Sequence, residues 1–266
     1  MLNSDTVVRS RPTRQTIQKF LKQASLSGGI WRPYEIASFS GLKMLRPILD
    51  VGCGDGSFVN IVFTKGFDYG LDISEKDLNK AKKNGIYEKY LSSDARNIPL
   101  SNHSIKTAFS NSVFEHIKNL EGVLDEINRV LEINGRLVFT THLLHSQEFN
   151  SVKLLRKLKL DSLANIVEKV FTRYLQLNTL WTEEKWKGVL KQKGFQVEYT
   201  KVMVSDTSFL MYELFMPFTF LQNRIKILKK IPITKFILAI INIDYKAENK
   251  SGYNIIISAK KIKSIK

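Results

Sequence analysis

The rhythm of apolar and polar positions changes at residue 47. PILDVG is a short apolar run ending in Asp50 and Gly52, which predicts a buried strand. GSFVNIVFTKG predicts a helix, FDYGLD a second strand, and SEKDLNKAKKNG a helix. Ser74 is the expected N-cap of that helix, Asp77 makes a weakened capping box with it, and Gly85 lies near its end. IYEKYLSSD and SIKTAFSNS read as a third and a fourth strand. LEGVLDEINRVLEING reads as a periodic helix closed by Asn134-Gly135, and GRLVFTTH as a fifth strand. Strands alternating with helices in this way predict a parallel sheet covered by helices on both faces.

Residues 143–181 interrupt the alternation with a Leu- and Lys-rich helical insert. TEEKWKGVLKQKG predicts a helix capped by Thr182, FQVEYTKVMV a strand, residues 205–252 a second insertion, and SGYNIIISAKK the last strand. Ahead of this pattern, residues 1–46 read as a basic leader, separate from a domain spanning 47–266. Within it TIQKFLKQ fits an amphipathic helix with Ile17, Phe20 and Leu21 on one side. GGIWRPYE, with two glycines and a proline, is expected to break that helix.

Composition narrows the class. The chain has 266 residues, 43% hydrophobic and 11% aromatic, which excludes general disorder. Cys53 is the single cysteine, so a disulfide scaffold is excluded. The first twenty residues lack the apolar core of a secretory signal, and the expected location is cytoplasmic. The net charge of +16 is unevenly placed: −2 over residues 48–142, against +6 before them, +3 over 143–221 and +9 from 222 onward. Attraction to anionic partners therefore belongs to the flanks.

Candidate chemistry begins at Ile48-Leu-Asp-Val-Gly-Cys-Gly-Asp-Gly-Ser57, a strand running through a glycine turn into a helix. Glycines allow the sharp turn and the close approach of a ligand. A dinucleotide would bring a pyrophosphate to the helix start under the G-x-G-x-x-G pattern, but Ser57 stands at the third glycine position. Asp50 and Asp55 also bracket the turn. Two carboxylates would repel a diphosphate and attract the ammonium and sulfonium of S-adenosylmethionine (AdoMet).

With these residues in view, the stretch resembles the class I, Rossmann-like AdoMet-dependent methyltransferases, nearest the small-molecule and lipid-quinone group. The resemblance implies an α/β fold with a doubly wound seven-stranded sheet, mostly parallel with an antiparallel last strand, plus helical insertions at 143–181 and 205–252. It implies AdoMet as cofactor, with Asp50, Gly52, Cys53 and Gly54 in the turn. Asp72 and Ile73 would lie at the ribose, Asp94 and Ala95 at the adenine, and Asn111 and Ser112 at the methionine end. In SSDARNIPLSNHS, Ile98 and Leu100 depart from the commoner residues of that motif.

Transfer to a hydroxyl or carbon acid needs a base, and His116 and His142 are the candidates, with His145 behind them. No set of ligands completes a metal site. The expected acceptor is a small molecule, lipid-linked or a glycan precursor on the reading of the greasy, basic additions. FLMYELFMPFTFL and IPITKFILAIINI are each too short to span a membrane. The second insertion suits a lid over a hydrophobic acceptor pocket, a cap completing the core, or peripheral contact with an anionic membrane. Nucleic-acid methylation is an alternative that the net charge raises and the lack of an N/D-P-P-Y/F motif disfavours: Asn111-Ser-Val-Phe114 stands there instead. A non-catalytic methyltransferase-like binding protein is the other alternative.

Overall fold

The computed structural model describes residues 7–9, 26–144, 149–204, 206–224 and 252–265. TIQKFLKQ, His145 and the IPITKFILAIINI segment lie outside the described residues.

The central sheet contains β3 (Ile48–Val51), β4 (Phe67–Asp72), β5 (Tyr87–Ser92), β6 (Ile105–Asn111), β7 (Leu131–His142), β8 (Phe195–Met203) and β9 (Asn254–Lys261). Their order is β5-β4-β3-β6-β7-β9-β8. The pairs from β5 through to β7 are parallel, while β9 runs antiparallel to both β7 and β8. This is the expected seven-stranded, mostly parallel sheet with a reversed last strand. A separate ribbon pairs β1 (Val7–Arg9) with β2 (Lys43–Leu45).

Side chains of a strand alternate between faces, and β7 shows it at the centre of the sheet. Val138 packs into a core with Phe39, Phe67 and Phe109. Its neighbour Phe139 packs into the opposite core with Phe114, Leu124 and Trp186. Each face is closed by helices, as burial of a parallel sheet requires.

Short local signals set the helices. α2 (Ser57–Val62) starts at Gly56 in the left-handed conformation and is shorter than the expected helix. α3 (Glu75–Asn84) is capped by Ser74, whose hydroxyl accepts from Asp77 N, and ends on left-handed Gly85. α7 (Glu183–Gln192) is capped by Thr182. Two further helices, α5 (Asn150–Lys157) and α6 (Asp161–Leu175), fill the first insertion. Glu213, on α8 (Asp206–Arg224), accepts from the backbone N–H groups of Asn150 and Ser151 and so caps α5 from outside. Burial pushes that carboxyl up, and these hydrogen bonds oppose the rise.

Two expectations need correction. The helix over LEGVLDEINRVLEING stops early: α4 spans Leu120–Val130, and LEING is the start of β7. Buried Leu131 pairs with Ile105. The fully buried Lys261 donates to the carbonyls of Asn128 and Leu131, supplying a cation where helix carbonyls end. A side chain 130 positions away thus satisfies carbonyls at the helix end. The second correction concerns GGIWRPYE, which does not break structure. It lies inside α1 (Leu26–Ser38), with Pro33 in the helix. Its apolar residues Trp31, Tyr34 and Ile36 are buried in the domain core.

Candidate active site

The carboxyl ends of β3, β4, β6 and β7 and the start of β9 form one edge of the sheet, where open α/β folds hold ligands. At the end of β3, Gly52 and Gly54 have positive φ angles of 75° and 53°. A Cβ on Gly52 would sit 2.5 Å from Val113, so glycine is required by packing as well as by conformation. A Cβ on Gly54 would meet nothing within 4 Å: its outer face is open. The turn is hooked to the end of β4, since Leu71 O accepts from Gly52 N and Cys53 N at 2.8 and 2.9 Å.

Asp72 closes β4 and ties the two turns together. One oxygen accepts from Gly54 N and the other from Ser74 N, each at 2.8 Å. A carboxylate offers about four lone-pair sites, so acceptor capacity remains after these two bonds. Beside it, Ile73 is 71% exposed, an unusual position for a large apolar side chain. The next loop carries Asp94 and Ala95. Asp94 accepts from the backbone and guanidinium of Arg96, and the guanidinium bond holds its carboxyl at about 2.

Asp50 departs from the simple charge argument. It is buried, and Tyr87 donates to it at 2.6 Å. Burial pushes its pKa up to about 7 against the lowering effect of Tyr87, and Asp72 adds repulsion. Near neutral pH Asp50 therefore carries less than the full charge expected of it. Asp55 accepts from Ser57 N at 3.0 Å and serves the start of α2. Cys53 is an inert thiol: burial pushes it far from ionisation.

The other half of the edge is organised by two buried glutamates that the sequence reading did not single out. Glu35, on α1, is fully buried. It accepts from Trp31 Nε1 at 3.0 Å, from Arg32 at 2.5 Å, from Ser112 Oγ, and from Asn111 and Asn254 at 3.4 Å each. Asn111 and Ser112, expected at a methionine end, are thus fastened to the leader helix.

Glu115 lies in the short turn Phe114–His116 after β6 and is also fully buried. It faces His142 Nδ1 at 2.7 Å and accepts from Thr141 Oγ1 at 3.2 Å. Burial disfavours its charge, but the charge and hydrogen bond of His142, with a further contribution from His116, outweigh that and hold the carboxyl below its ordinary value. An ionised carboxylate only accepts, so Nδ1 of His142 is the donor of this bond and Nε2 is the ring nitrogen that Glu115 does not engage. Trp31 stacks on the imidazole with centroids 4.5 Å apart. His116 is placed differently. It is exposed at the rim, with Nδ1 3.3 Å from Gln176 O.

These groups border a cavity of about 200 Å³. Arg32, Ser112 and His116 give it polar walls; Tyr174, Leu177 and Tyr212 give it apolar ones. Among the described residues no group of three His, Cys, Asp or Glu could hold a metal ion.

A seven-stranded, mostly parallel sheet with a reversed last strand, carrying a glycine turn after its first strand and an acidic residue at the end of the next, is a Rossmann-like arrangement. Residues 49–139 match the family described as a methyltransferase domain. A malonyl-(acyl-carrier protein) O-methyltransferase of Legionella pneumophila is 36% identical over 102 residues, covering 36% of this chain and 36% of that protein. An uncharacterized protein of Methanocaldococcus jannaschii is 28% identical over 167 residues, covering 58% and 62%. The chain spans about a third of the length of the first of these relatives and less than two thirds of the second. A SAM-dependent methyltransferase from Thermotoga maritima shares the fold with a TM-score of 0.56 at 15% identity, over 94% of this chain and all of that one. The cyclase SpnF shares it at 0.55 and 16% identity, over 90% and 84%. One fold serving a cyclase as well as methyltransferases leaves the reaction to be argued from the site.

Proposed function

We propose that this protein is an AdoMet-dependent methyltransferase acting on a hydroxyl group of a small, largely apolar acceptor. The observation that carries the reading is the pairing, on one sheet edge, of the Asp72-tied glycine turn with the Glu115–His142 pair. The turn fits AdoMet in three respects. Gly54 leaves an open face, Asp72 retains acceptor capacity for vicinal hydroxyls, and Ile73 exposes an apolar surface for a base. Asp94, Ala95, Cys53, Asn111 and Ser112 complete the proposed cofactor contacts.

AdoMet supplies a methyl group already activated on a positive sulfur. What remains for the chain is alignment, exclusion of water and removal of the acceptor's proton. His142 Nε2 is the proposed proton acceptor, and Glu115 is a positioning residue that fixes the tautomer and stabilises the imidazolium. An acceptor without a dissociable proton would have no use for this pair. His116, at the rim, is proposed to touch the acceptor. The printed name of one relative, a sterol 24-C-methyltransferase of Pneumocystis carinii 32% identical over 126 residues, supports an apolar acceptor class. A cytoplasmic location and the absence of nucleic-acid partners remain part of this proposal.

The test is transfer of isotopically labelled methyl from AdoMet, by the purified full chain, into organic-soluble small molecules of a cell extract. Label in that fraction, lost in His142→Ala, supports the reading. Label confined to RNA or protein would contradict it.

A further inference from the structure

Large apolar side chains are normally scattered singly over a surface. On α5, α6 and the turn between them they are concentrated. Leu154, Leu158, Leu160, Leu163, Ile166 and Val170 are between 47% and 60% exposed. On α6 the spacing 163, 166, 170, 174 puts Leu163, Ile166, Val170 and Tyr174 on one stripe. The buried stripe of the same helix runs beside it through Ala164 and Phe171. The apolar face is therefore wider than the part the domain covers.

Charge is arranged around this row. Residues 150–175 hold six Lys/Arg against two acidic residues. One of the two acids, Glu168, is already paired with Arg156. Lys169 and Arg173 are exposed and flank the stripe on the side away from the buried face. A helix with an aliphatic face bordered by cations is the arrangement that lies in a lipid–water interface, its apolar side among the acyl chains and its cations at anionic headgroups. The row also leads somewhere. Its last member, Tyr174, lines the cavity beside His142 and His116.

We infer that α5 and α6 dock on an anionic lipid surface through Leu163, Ile166 and Val170, with Lys169 and Arg173 at the headgroups, and so place the cavity mouth where an acceptor dissolved in the lipid can enter. This rests on the proposed function for the acceptor, but the docking itself does not. An acidic protein is the competing partner. The lipid is favoured because the exposed groups form a linear row of aliphatics on one helix, which a fluid layer accommodates without a matching groove.

The test is sedimentation of the full chain with vesicles of mixed phosphatidylcholine and phosphatidylglycerol, and with vesicles of phosphatidylcholine alone. The protein is expected to sediment with the anionic vesicles and weakly with the neutral ones. Replacing Leu163, Ile166 and Val170 together by Glu should weaken sedimentation at least about tenfold. AdoMet binding measured by calorimetry should stay unchanged, which separates failure of the docking from failure of the methyltransferase reading. Lys169→Glu with Arg173→Glu should erase the preference for anionic vesicles. Since the triple variant could fold poorly, Ile166→Trp provides a second readout, an emission blue shift on adding anionic vesicles. Absence of sedimentation, wild-type sedimentation by the triple variant, or no blue shift would each overturn the proposal.

Discussion

The indole of Trp31 lies flat on the imidazole of His142, with ring planes 9° from parallel. The two residues lie 111 positions apart in the chain. The contact closes one face of the imidazole while Glu115 engages Nδ1, and His142 lines the cavity. The leader helix is therefore part of the site's wall.

The state of His142 can be read without an acceptor. Nitrogen NMR of the histidines should show His142 with Nδ1 protonated and Nε2 bare. Glu115→Ala should shift the population toward the other tautomer, and methyl transfer should fall by a factor on the order of a hundred or more. An unchanged tautomer in the variant would remove Glu115 from its assigned role.

Glu35 holds together α1, β6 and β9. Glu35→Ala takes the acceptor from the buried Trp31 and Asn254 and from the half-buried Arg32 and Ser112, and the expected loss of stability is about 2–5 kcal/mol. Urea unfolding checks this. A loss under about half a kcal/mol, the size of an ordinary surface substitution, would show that the network contributes little.

The two turn glycines should separate folding from binding. Gly52→Ala collides with Val113 and should lower the melting temperature clearly. Gly54→Ala meets no atom within 4 Å, so its fold should survive with the modest strain of a left-handed residue. Its AdoMet affinity should drop, because the added methyl occupies the open face. Equal behaviour of the two variants would contradict this division.

Asp50 gives a pH signature. Its folded pKa of about 7 lies above the ordinary value of 3.8. The folded state thus holds a proton that the unfolded chain has released, so this contribution to stability is full below pH 4 and is lost as the pH rises to about 7. Asp50→Asn should flatten that fall in ligand-free thermal unfolding. The same slope in wild type and variant would mean that another group titrates.

The sheet was legible because each parallel strand is a short apolar run bounded by glycine or aspartate, and because Ser74 and Thr182 cap their helices by local rules. The bend of the glycine turn and the place of Asp72 at the end of β4 were legible for the same reason: both are set within a few residues of backbone. What sequence did not reveal depends on distant partners. Gly28, Gly29 and Pro33 argue locally against a helix, and burial of Trp31, Tyr34 and Ile36 on the domain overrides them. At the end of α4, Leu131 pairs with Ile105 and Lys261 takes up the free carbonyls, both partners far from it in sequence. Glu35 and Glu115 looked like ordinary acidic residues. The available signal was their position among aromatic and apolar neighbours, in IWRPYEI and VFEHI, where an acidic side chain must find donors.

The central claim is that the glycine turn, with Asp72, holds the adenosyl cofactor of a methyl transfer. The most direct measurement is calorimetric titration of the full chain with AdoMet and with NAD, repeated on Asp72→Ala. The account predicts binding of AdoMet alone, weakened in the variant by about 1.5–3 kcal/mol through loss of charged hydrogen bonds. Binding of NAD in place of AdoMet, or equal AdoMet affinity in the variant, would contradict it.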